Sequence, residues 1–331
     1  MSDRATPDPH LRDRILSALE RTRTPLALGR SGAFGGMIRV PQDVPDPVLV
    51  MSTDGVGTKV LVAVRAGRHD TVGEDLVNHC VNDILVHGAR PIAFLDYIAL
   101  AAVDADTTAA LVEGVARGCE RHEMALVGGE TAVMPELYAA GHYDLAGTIV
   151  GVVSEGRARH GTDVRVGDAL IGYAANGLHT NGYTLARKII FDELGLEAES
   201  QVPALGHTVA DALLAVHRSY ASAVLPVVEH CHGLAHITGG GIPGNLLRTM
   251  PEGCGAVIET NTWDRPAVFQ WLQREGGVTT DEMFRVFNMG VGFIAITAPD
   301  AVGTIRAAAS AGQIETFLMG EVVAGSGVRL V

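Results

Sequence analysis

The chain has 331 residues, which is long enough for two domains of ordinary size that each bury their own core. With 47% hydrophobic and only 5% aromatic residues, the composition is that of a globular protein rich in small apolar side chains. The formal net charge of −13 argues against a nucleic-acid or anionic-membrane surface, because such partners are bound through an excess of Lys and Arg.

The N-terminal region is predicted to contain one helix between two irregular segments. Residues 1–10 are polar and include two prolines, which predicts disorder. Because the N-terminus lacks a signal-peptide core and the sequence has no apolar run of bilayer length, the predicted location is cytoplasmic. Apolar residues recur at helical spacing over residues 11–23, and Pro25 ends that helix. The glycine-rich segment 28–36 lacks GxGxxG spacing and is interpreted as a linker or a phosphate-covering loop.

Residues 52–59, Ser-Thr-Asp-Gly-Val-Gly-Thr-Lys, follow the apolar run 48–51. The segment combines the carboxylate of Asp54, glycine N–H groups, a hydroxyl and the ammonium of Lys59, a mixture that suits a phosphate carrying Mg²⁺. An ordinary strand that ends in a glycine turn has the same short pattern. The segment alone therefore leaves both interpretations open.

Residues 71–87 are predicted to form a helix with an apolar stripe at steps of four residues. The other side of this helix carries a polar stripe, formed by Asp75, His79, Asn82 and Asp83. Two carboxylates and an amide on one face can line a cleft, although a solvated helix face has the same composition.

Two more acids of the first half lie in or beside predicted strands. Asp96 lies within strand 92–99, where a carboxylate must be paired, hydrogen-bonded or metal-bound. A short strand, 125–127, ends in Gly128-Gly129-Glu130-Thr131, which repeats the order of strand, glycine and acid around Asp54. The remaining elements of this half are a helix over residues 107–121, a strand over residues 145–153 and a polar interdomain linker over residues 154–167.

The second half alternates predicted strands and helices, which implies an α/β sandwich. Strands are predicted over residues 169–174, 255–259, 290–297 and 314–323, and helices over residues 207–229, 265–275 and 300–311. Gly239, Gly240 and Gly241 lie between a strand and a helix, where their N–H groups can face an anion.

Asp54, Asp83 and Glu130 are the predicted metal ligands. Mg²⁺ takes hard oxygen ligands and usually one or two carboxylates per ion, so these acids suffice for one or two Mg²⁺ ions that bridge a nucleotide triphosphate. The sequence contains neither the Gly-Lys-Ser/Thr of a Walker P-loop nor an HExxH motif. A zinc site among the histidines of residues 230–236 is disfavoured, and these histidines are predicted to be exposed at a helix end.

Six motifs occur in chain order between about residue 21 and the C-terminus. They are Ser52-Thr53-Asp54-Gly55-Val56-Gly57-Thr58-Lys59; Asp83 followed by Gly88-Ala89-Arg90-Pro91; Phe94-Leu95-Asp96-Tyr97; Gly128-Gly129-Glu130-Thr131-Ala132 with Met134-Pro135; Gly177-Leu178-His179-Thr180-Asn181-Gly182-Tyr183; and Thr238-Gly239-Gly240-Gly241. Together they resemble the phosphoribosylformylglycinamidine cyclo-ligases, also called aminoimidazole ribonucleotide synthetases.

The resemblance implies the fifth step of purine synthesis, in which ATP and formylglycinamidine ribonucleotide give ADP, phosphate and aminoimidazole ribonucleotide. ATP phosphorylates the formyl amide oxygen, which makes it a good leaving group, and the amidine nitrogen then closes the five-membered ring. The implied enzyme is an ATP-dependent cyclo-ligase that forms a C–N bond. The implied cofactors are ATP and Mg²⁺, with K⁺ as a further candidate.

The resemblance also implies a homodimer with an α+β or α/β fold. Residues 21–155 would form a mixed α/β domain that binds ATP and metal and contributes strands to a dimeric β-barrel. Residues 168–331 would form the C-terminal α/β sandwich. Residues 1–20 depart from the family pattern and are predicted to be a mobile or atypical segment.

Residue roles follow from the resemblance position by position. Asp54, Asp83 and Glu130 would hold Mg²⁺-ATP, and Lys59 would neutralise phosphate. His179 would contact the substrate or the transferring phosphoryl group as a proton donor, so that His179, Asp83 and Lys59 are the predicted catalytic residues. The residues predicted to bind ATP or substrate are Gly55, Gly57, Thr58, Asp96, Gly128, Gly129, Thr131, Asn181, Gly239, Gly240 and Gly241.

Two alternatives stay open. Another ATP-dependent kinase or synthetase of the same superfamily, such as thiamine-phosphate kinase or the amidotransferase that makes the cyclo-ligase's substrate, would share the phosphate motifs. The runs 130–135 and 177–179 favour the cyclo-ligase over it. A non-catalytic nucleotide-binding paralogue would bind ATP without substrate-dependent release of phosphate.

Overall fold

The computed structural model describes residues 9–331, which fold around two main β-sheets. The helices of the first half are α1 (Pro9–Arg21), α2 (Val60–Ala66), α3 (Val72–Leu85) and α4 (Ala105–Arg121). Its strands are β1 (Ala27–Leu28), β2 (Met37–Ile38), β3 (Pro47–Gly55), β4 (Arg90–Leu100), β5 (Ala125–Val133) and β6 (Tyr143–Ser154). The helices predicted over 71–87 and 107–121 are confirmed within two residues at each end.

The N-terminal sheet has the strand order β3-β6-β4-β5 and is covered on one face by α3 and α4. Successive side chains of a strand point to opposite faces, so Phe94 and Ile149 are buried beneath the helices. Met51, Leu95 and Tyr97 point to the other face, where they are 63%, 36% and 39% exposed. This uncovered surface of the sheet is called the open face below.

The second half forms a six-stranded sheet of order β10-β12-β7-β13-β11-β14, antiparallel except where β14 pairs with β11. Its strands are β7 (Ala169–Ala174), β10 (Cys231–His236), β11 (Cys254–Ile258), β12 (Val291–Thr297), β13 (Thr316–Ala324) and β14 (Val328–Leu330), and β8 (Gln201–Val202) and β9 (His207–Thr208) form a separate pair. The helices are α5 (Tyr183–Arg187), α6 (Val209–Leu213), α7 (Ala221–Val224), α8 (Gly241–Leu246), α9 (Ala267–Glu275), α10 (Thr280–Val286) and α11 (Val302–Ala311). Every residue of β12 is buried, which places that strand in the core of this half.

The helix predicted over 207–229 is wrong at its centre, because residues 214–220 between α6 and α7 are irregular. Side chains of the first half satisfy this backbone in place of helical hydrogen bonds. Lys59, Asn78 and Asn82 donate to three of its carbonyl oxygens, at 2.8, 2.7 and 2.9 Å. Side chains of α3, among them Asn82 of the polar stripe, therefore form an interface between the two halves of the molecule instead of a solvated face.

The turn predicted at residues 128–131 is also wrong, because β5 continues through these residues to Val133. Gly129 lies opposite Asp96 in the parallel pair of β5 with β4. A Cβ on Gly129 would lie 2.1 Å from Asp96 Oδ1. Glycine is required at position 129 because the Asp96 side chain approaches the backbone closely, and the chain does not turn there.

Helix α1 packs on α4 through exposed ion pairs, Arg14 with Asp106 at 2.9 Å and Arg21 with Glu113 at 2.6 Å. The helix predicted over residues 11–23 corresponds to α1, the mobile or atypical character of residues 1–20 stays a prediction, and residues 1–8 lie outside the described residues. In the described part of the chain, no helix is both long and apolar enough to cross a membrane.

Candidate functional site

A cavity of about 470 Å³ lies between the two halves of the molecule. Asp54 and Asp83 line it from the first half, and His236, Thr238 and Arg248 line it from the second. The sequence predicts Asp54 and Asp83 as neighbours in one metal site. Within this cavity their carboxylate oxygens lie within 4.8 Å of each other and of a nitrogen of His79.

Asp54 lies on the face of β3 that is covered by α3. Its Oδ1 accepts a hydrogen bond from the Gly55 N–H at 2.6 Å, and its Oδ2 lies 2.9 Å from His79 Nε2. Burial acts to raise the pKa of Asp54, but the hydrogen bond and charge of His79 hold this pKa below its usual value. Asp54 is therefore ionised at neutral pH, and 46% of its side chain stays exposed.

Asp83 approaches the same cavity from the last turns of α3. Its Oδ2 accepts a hydrogen bond from the Ser52 hydroxyl at 3.0 Å, and its Oδ1 lies 2.9 Å from His236 Nδ1. Burial again acts to raise the pKa, and the hydrogen bond and charge of His236 lower it below the usual value of an aspartate. The cavity thus holds two ionised carboxylates, which are ligands of the kind that Mg²⁺ prefers.

Glu130, the third predicted metal ligand, lies far from Asp54 and Asp83 within one chain. Strands β3 and β5 are opposite edges of the sheet, so three strand spacings, about 14 Å, separate them. Glu130 pairs with Tyr97 and so points to the open face, whereas Asp54 faces α3. Within one chain Glu130 is thus separated from the other two acids, and its role as a metal ligand stays a prediction.

Lys59 is fully buried and pairs with Asp75 at 2.8 Å. Its ammonium also donates to the backbone carbonyl oxygens of His179 at 3.3 Å and Ala215 at 2.8 Å, which uses all three of its N–H bonds. Burial lowers the pKa of Lys59 and raises that of Asp75, while the attraction between the two opposes both shifts. In this geometry no donor of Lys59 is left for a ligand, and its role in neutralising phosphate stays a prediction.

His179 lies at the start of the loop before α5, with a left-handed φ of 61° and a side chain that is 2% exposed. Its Nε2 lies 3.1 Å from Asn176 Oδ1, which can only accept, so Nε2 carries the proton. Burial, reinforced by the charges of His236 and Lys59, lowers the pKa of His179 well below its usual value. The ring is therefore neutral at physiological pH and carries its proton on Nε2, and its role as a proton donor stays a prediction.

Three histidines that were not predicted to be neighbours lie together behind the cavity: His79, His217 and His236. Their relative exposures are 3%, 0% and 6%, so the prediction of an exposed helix-end histidine at position 236 is wrong. His79 is visible in the sequence as part of the polar stripe of α3. His217 and His236 come from distant segments, and only the fold shows that they are neighbours.

The glycine-rich loop before α8 contributes to the cavity wall. Gly240 and Gly241 adopt left-handed φ values of 97° and 62°, and a Cβ on Gly241 would lie 1.8 Å from a neighbouring carbonyl oxygen. A Cβ on Gly239 would lie 3.3 Å from Asn181 Oδ1. The Gly241 N–H donates to the Thr238 carbonyl at 3.0 Å, and its role as a phosphate donor stays a prediction.

Asn181 and Thr58 line a second cavity, of about 810 Å³. Gly57, with a φ of 66°, begins the 3₁₀ turn after β3, and the Thr58 hydroxyl lies 3.3 Å from that of Thr184 in α5. Asn181 Nδ2 is buried and has no hydrogen-bond partner among residues 9–331. These two predicted ligands thus lie together, as Asp54 and Asp83 do.

Asp96 and the predicted ligands of β5 form a separate group. Asp96 is 9% exposed on the helix-covered face of β4, and burial raises its pKa to about 7. It lies two strands away from Asp54, with β6 between them. Gly128, Gly129 and Thr131 follow on the next strand, β5. The predicted ATP ligands therefore divide between the interdomain cavities and the β5 edge of the sheet.

Comparison with known proteins places the two halves in one family. Residues 35–153 match the family described as AIR synthase related protein, N-terminal domain, and residues 165–331 match the corresponding C-terminal domain. The fold is similar to the crystal structures of thiamine-monophosphate kinase from Stenotrophomonas maltophilia K279a (TM-score 0.74, 18% identity, 98% of this chain and 96% of that chain) and of hydrogenase maturation protein HypE in complex with ATP (TM-score 0.64, 18% identity, 95% and 86%). At these identities the likeness shows the fold alone.

Two curated relatives are much more similar in sequence. The phosphoribosylformylglycinamidine cyclo-ligase of Sorangium cellulosum (strain So ce56) is 48% identical over 94% of this chain and 90% of its own length. The enzyme of the same name from Xanthomonas euvesicatoria pv. vesicatoria (strain 85-10) is 46% identical over 95% and 93%. The chain therefore belongs to the phosphoribosylformylglycinamidine cyclo-ligase family.

Proposed function

We propose that this chain uses ATP to close formylglycinamidine ribonucleotide to aminoimidazole ribonucleotide. The proposal rests on one observation. Asp54 and Asp83 lie next to each other on one side of an interdomain cavity, and the glycine loop at Thr238 lies on the other side. A phosphoryl transfer of this kind needs little beyond positioning and charge neutralisation, which a polar cleft between two rigid halves can supply. The names of the relatives and the six motifs support this reaction over that of another kinase of the fold.

Asp54 and Asp83 are the residues that fit a magnesium ion. Both carboxylates are ionised, and both keep part of their surface exposed, 46% and 22% of the side chain. Their other oxygen contacts are to an N–H, a hydroxyl and two histidines, which leaves lone pairs for a hard cation. When bound there, Mg²⁺ neutralises the charge of the ATP phosphates. K⁺ stays a prediction that rests on the resemblance.

The second half supplies the groups that would hold the substrate. Gly239 and Gly240 offer backbone N–H groups, and Asn181 offers a buried amide that lacks a partner in the described structure. Arg159 and Arg248 line the cavity with positive charge, and the Nε of Arg159 is buried and unpaired within residues 9–331. These groups offset the negative charge of a ribonucleotide phosphate in a protein whose net charge is −13.

The open face of the N-terminal sheet supports the proposal of a homodimer. Leu49, Met51, Leu95 and Tyr97 expose apolar side chains in one patch on this face. A second copy that packs on this patch would close the two sheets into the β-barrel that the resemblance implies. Glu130 points to the same face, so the dimer would bring this acid to the subunit interface. In this arrangement residues 21–155 serve ATP binding and dimerisation, residues 168–331 serve substrate binding, and the setting is cytoplasmic.

The test is ADP formation by the purified protein with ATP, Mg²⁺ and formylglycinamidine ribonucleotide. ADP release that depends on the ribonucleotide is the expected result, and ATP binding without such release would indicate a non-catalytic paralogue. Asp83→Asn should lower turnover by at least about 100-fold without lowering the melting temperature, because it removes one charge from the metal site. The exposed Asp300→Asn is the matched control, and wild-type rates in Asp83→Asn would refute the metal assignment.

A further inference from the structure

Five side chains form a continuous hydrogen-bonded series that ends on Asp54: Asn82, His217, Thr180, His79 and Asp54. We propose that Thr180 and His217 are positioning residues, which act through His79 to aim the Asp54 carboxylate at the cation. The proposal deepens the proposed function and rests on it for the role of Asp54. Which group donates and which accepts at each hydrogen bond is a property of the chain itself, so it can be tested separately from the proposed reaction.

The series begins at Asn82, whose side-chain amide is held in one orientation. Its Oδ1 accepts a hydrogen bond from the Tyr220 N–H at 3.0 Å, and its Nδ2 donates to the Arg218 carbonyl at 2.9 Å. A flip of the amide would break both bonds to the backbone. The second N–H of Nδ2 is therefore the group that faces His217 Nε2, at 3.1 Å. That ring nitrogen must accept.

The fixed amide determines the direction of every later bond when the rings are neutral, which for His79 requires a pH above its pKa, because the neighbouring Asp54 and Asp83 raise that pKa. His217 accepts at Nε2, so it carries its proton on Nδ1, which lies 3.3 Å from Thr180 Oγ1. The Thr180 hydroxyl then donates to His79 Nδ1, at 2.6 Å, and His79 donates from Nε2 to Asp54 Oδ2, at 2.9 Å. Each donor meets an acceptor, and the series ends on a carboxylate, the strongest acceptor in it.

Packing holds these groups in place. Thr180 is 8% exposed, and the two rings of the series are almost fully buried. The His179 ring stacks on His217, with centroids 4.0 Å apart and planes inclined by 20°. Gly292 makes room for this stack, because a Cβ there would lie 2.4 Å from His179 Cε1. Because the rings have no space to turn, a displacement at one end of the series reaches the other.

The series links two parts of the proposed active site. Asp54, His79 and Asn82 belong to the first half, whereas Thr180 and His217 belong to the second. Thr180 lies between His179 and Asn181 in the loop that borders the second cavity. Contacts that order this loop would therefore also order Asp54. Outer groups of this kind commonly tune the affinity of a ligand for its metal.

A zinc ion among His79, His217 and His236 is the competing explanation of the cluster. The Nε2 atoms of His217 and His236 lie 3.3 Å apart, which matches two ligands of a tetrahedral ion. The Asn82 N–H faces His217 Nε2, however, and the Thr180 hydroxyl occupies His79 Nδ1. Two of the three lone pairs that zinc would need are thus already used, and the positioning role accounts for these contacts.

The direct test is histidine ¹⁵N NMR of the full chain at pH 8.5, assigned with His79→Gln and His217→Gln. We expect His217 in the Nδ1–H tautomer and His79 in the Nε2–H tautomer. Thr180→Val should abolish this pair of tautomers, and Thr180→Ser, which keeps the hydroxyl, should preserve it. An Nε2–H tautomer at His217 in the wild type would overturn the proposal, as would zinc at one equivalent per chain in the purified protein.

The functional test measures binding of Mn²⁺ alone, followed by water-proton relaxation, in the same variants. Thr180→Val should weaken Mn²⁺ binding by about 10-fold, and Thr180→Ser should stay near wild type. Thr304→Val, on an exposed part of α11, is the matched control. Equal Mn²⁺ affinity in Thr180→Val and wild type would refute the positioning role, provided that both proteins melt cooperatively.

The two proposals fail in distinguishable ways. If ribonucleotide-dependent ADP formation is absent while Thr180→Val still weakens Mn²⁺ binding, the proposed reaction is wrong and the positioning role stands. If ADP forms and Thr180→Val needs no more Mg²⁺ than the wild type for half-maximal rate, the reaction stands and the positioning role is wrong. A wild-type protein that binds no Mn²⁺ contradicts both the metal site and its positioning.

Discussion

The three N–H bonds of Lys59 all end inside the chain, on Asp75 and two backbone carbonyl oxygens. Lys59→Met should therefore lower the free energy of unfolding by about 3–5 kcal/mol, because it leaves the buried Asp75 carboxylate without its counter-charge and the Ala215 carbonyl without its donor. Urea unfolding measures this loss, with Lys188→Met as a control whose side chain is 65% exposed. A variant of wild-type stability that has lost ATP turnover would instead restore Lys59 as a phosphate ligand.

Asp96 makes stability depend on pH in the opposite sense to an ion-paired aspartate. Burial raises its pKa from 3.8 to about 7, so the folded state binds this proton more tightly than the unfolded state does. The free energy of unfolding should then fall as pH rises from about 4 to 7, by an amount on the order of a few kcal/mol. Asp96→Asn should remove this contribution. The free energy of unfolding of the variant, relative to that of the wild type, should therefore be higher at pH 8 than at pH 5. If the free energy of unfolding, measured in urea, changes equally with pH in the wild type and in Asp96→Asn, this prediction is wrong.

The elements that could be predicted from the sequence are those that a local pattern determines. Helices α3 and α4 follow from apolar residues at helical spacing, and β4 follows from an apolar run that only Asp96 interrupts. The placement of Asp54 beside Asp83 was also predictable, because β3 ends in one acid and the polar side of α3 carries the other.

The remaining features depend on contacts between distant parts of the chain. The break at residues 214–220 is stabilised by Lys59 and by Asn78 of α3, which donate to its backbone, and no local pattern encodes these partners. Strand β5 extends past two glycines because Asp96 approaches one of them. The meeting of His217 with His79 is likewise a result of how the halves pack, so neither the burial of Lys59 nor the histidine cluster could be predicted from spacing.

At the scale of the whole molecule, the first half has one covered sheet face and one apolar open face. A sheet of four strands buries its second face only if a further layer is added. Glu130 and Tyr97 lie side by side on this face, while Asp54 and Asp83 lie on the covered side. Glu130, which lies away from the metal site within one chain, is therefore on the surface at which we propose that a second chain docks.

The open face supplies the sharpest test of that assembly. Met51→Glu with Tyr97→Glu places two charges at the centre of the patch, where the desolvation of a carboxylate opposes burial. We expect the variant to sediment as a monomer at a protein concentration at which the wild type is a dimer, with helix content unchanged by circular dichroism. Leu318→Glu, at a position that is 49% exposed on the other sheet, should leave the dimer intact. A wild type that sediments as a monomer, or a double variant that stays dimeric, would rule out the open face as the interface.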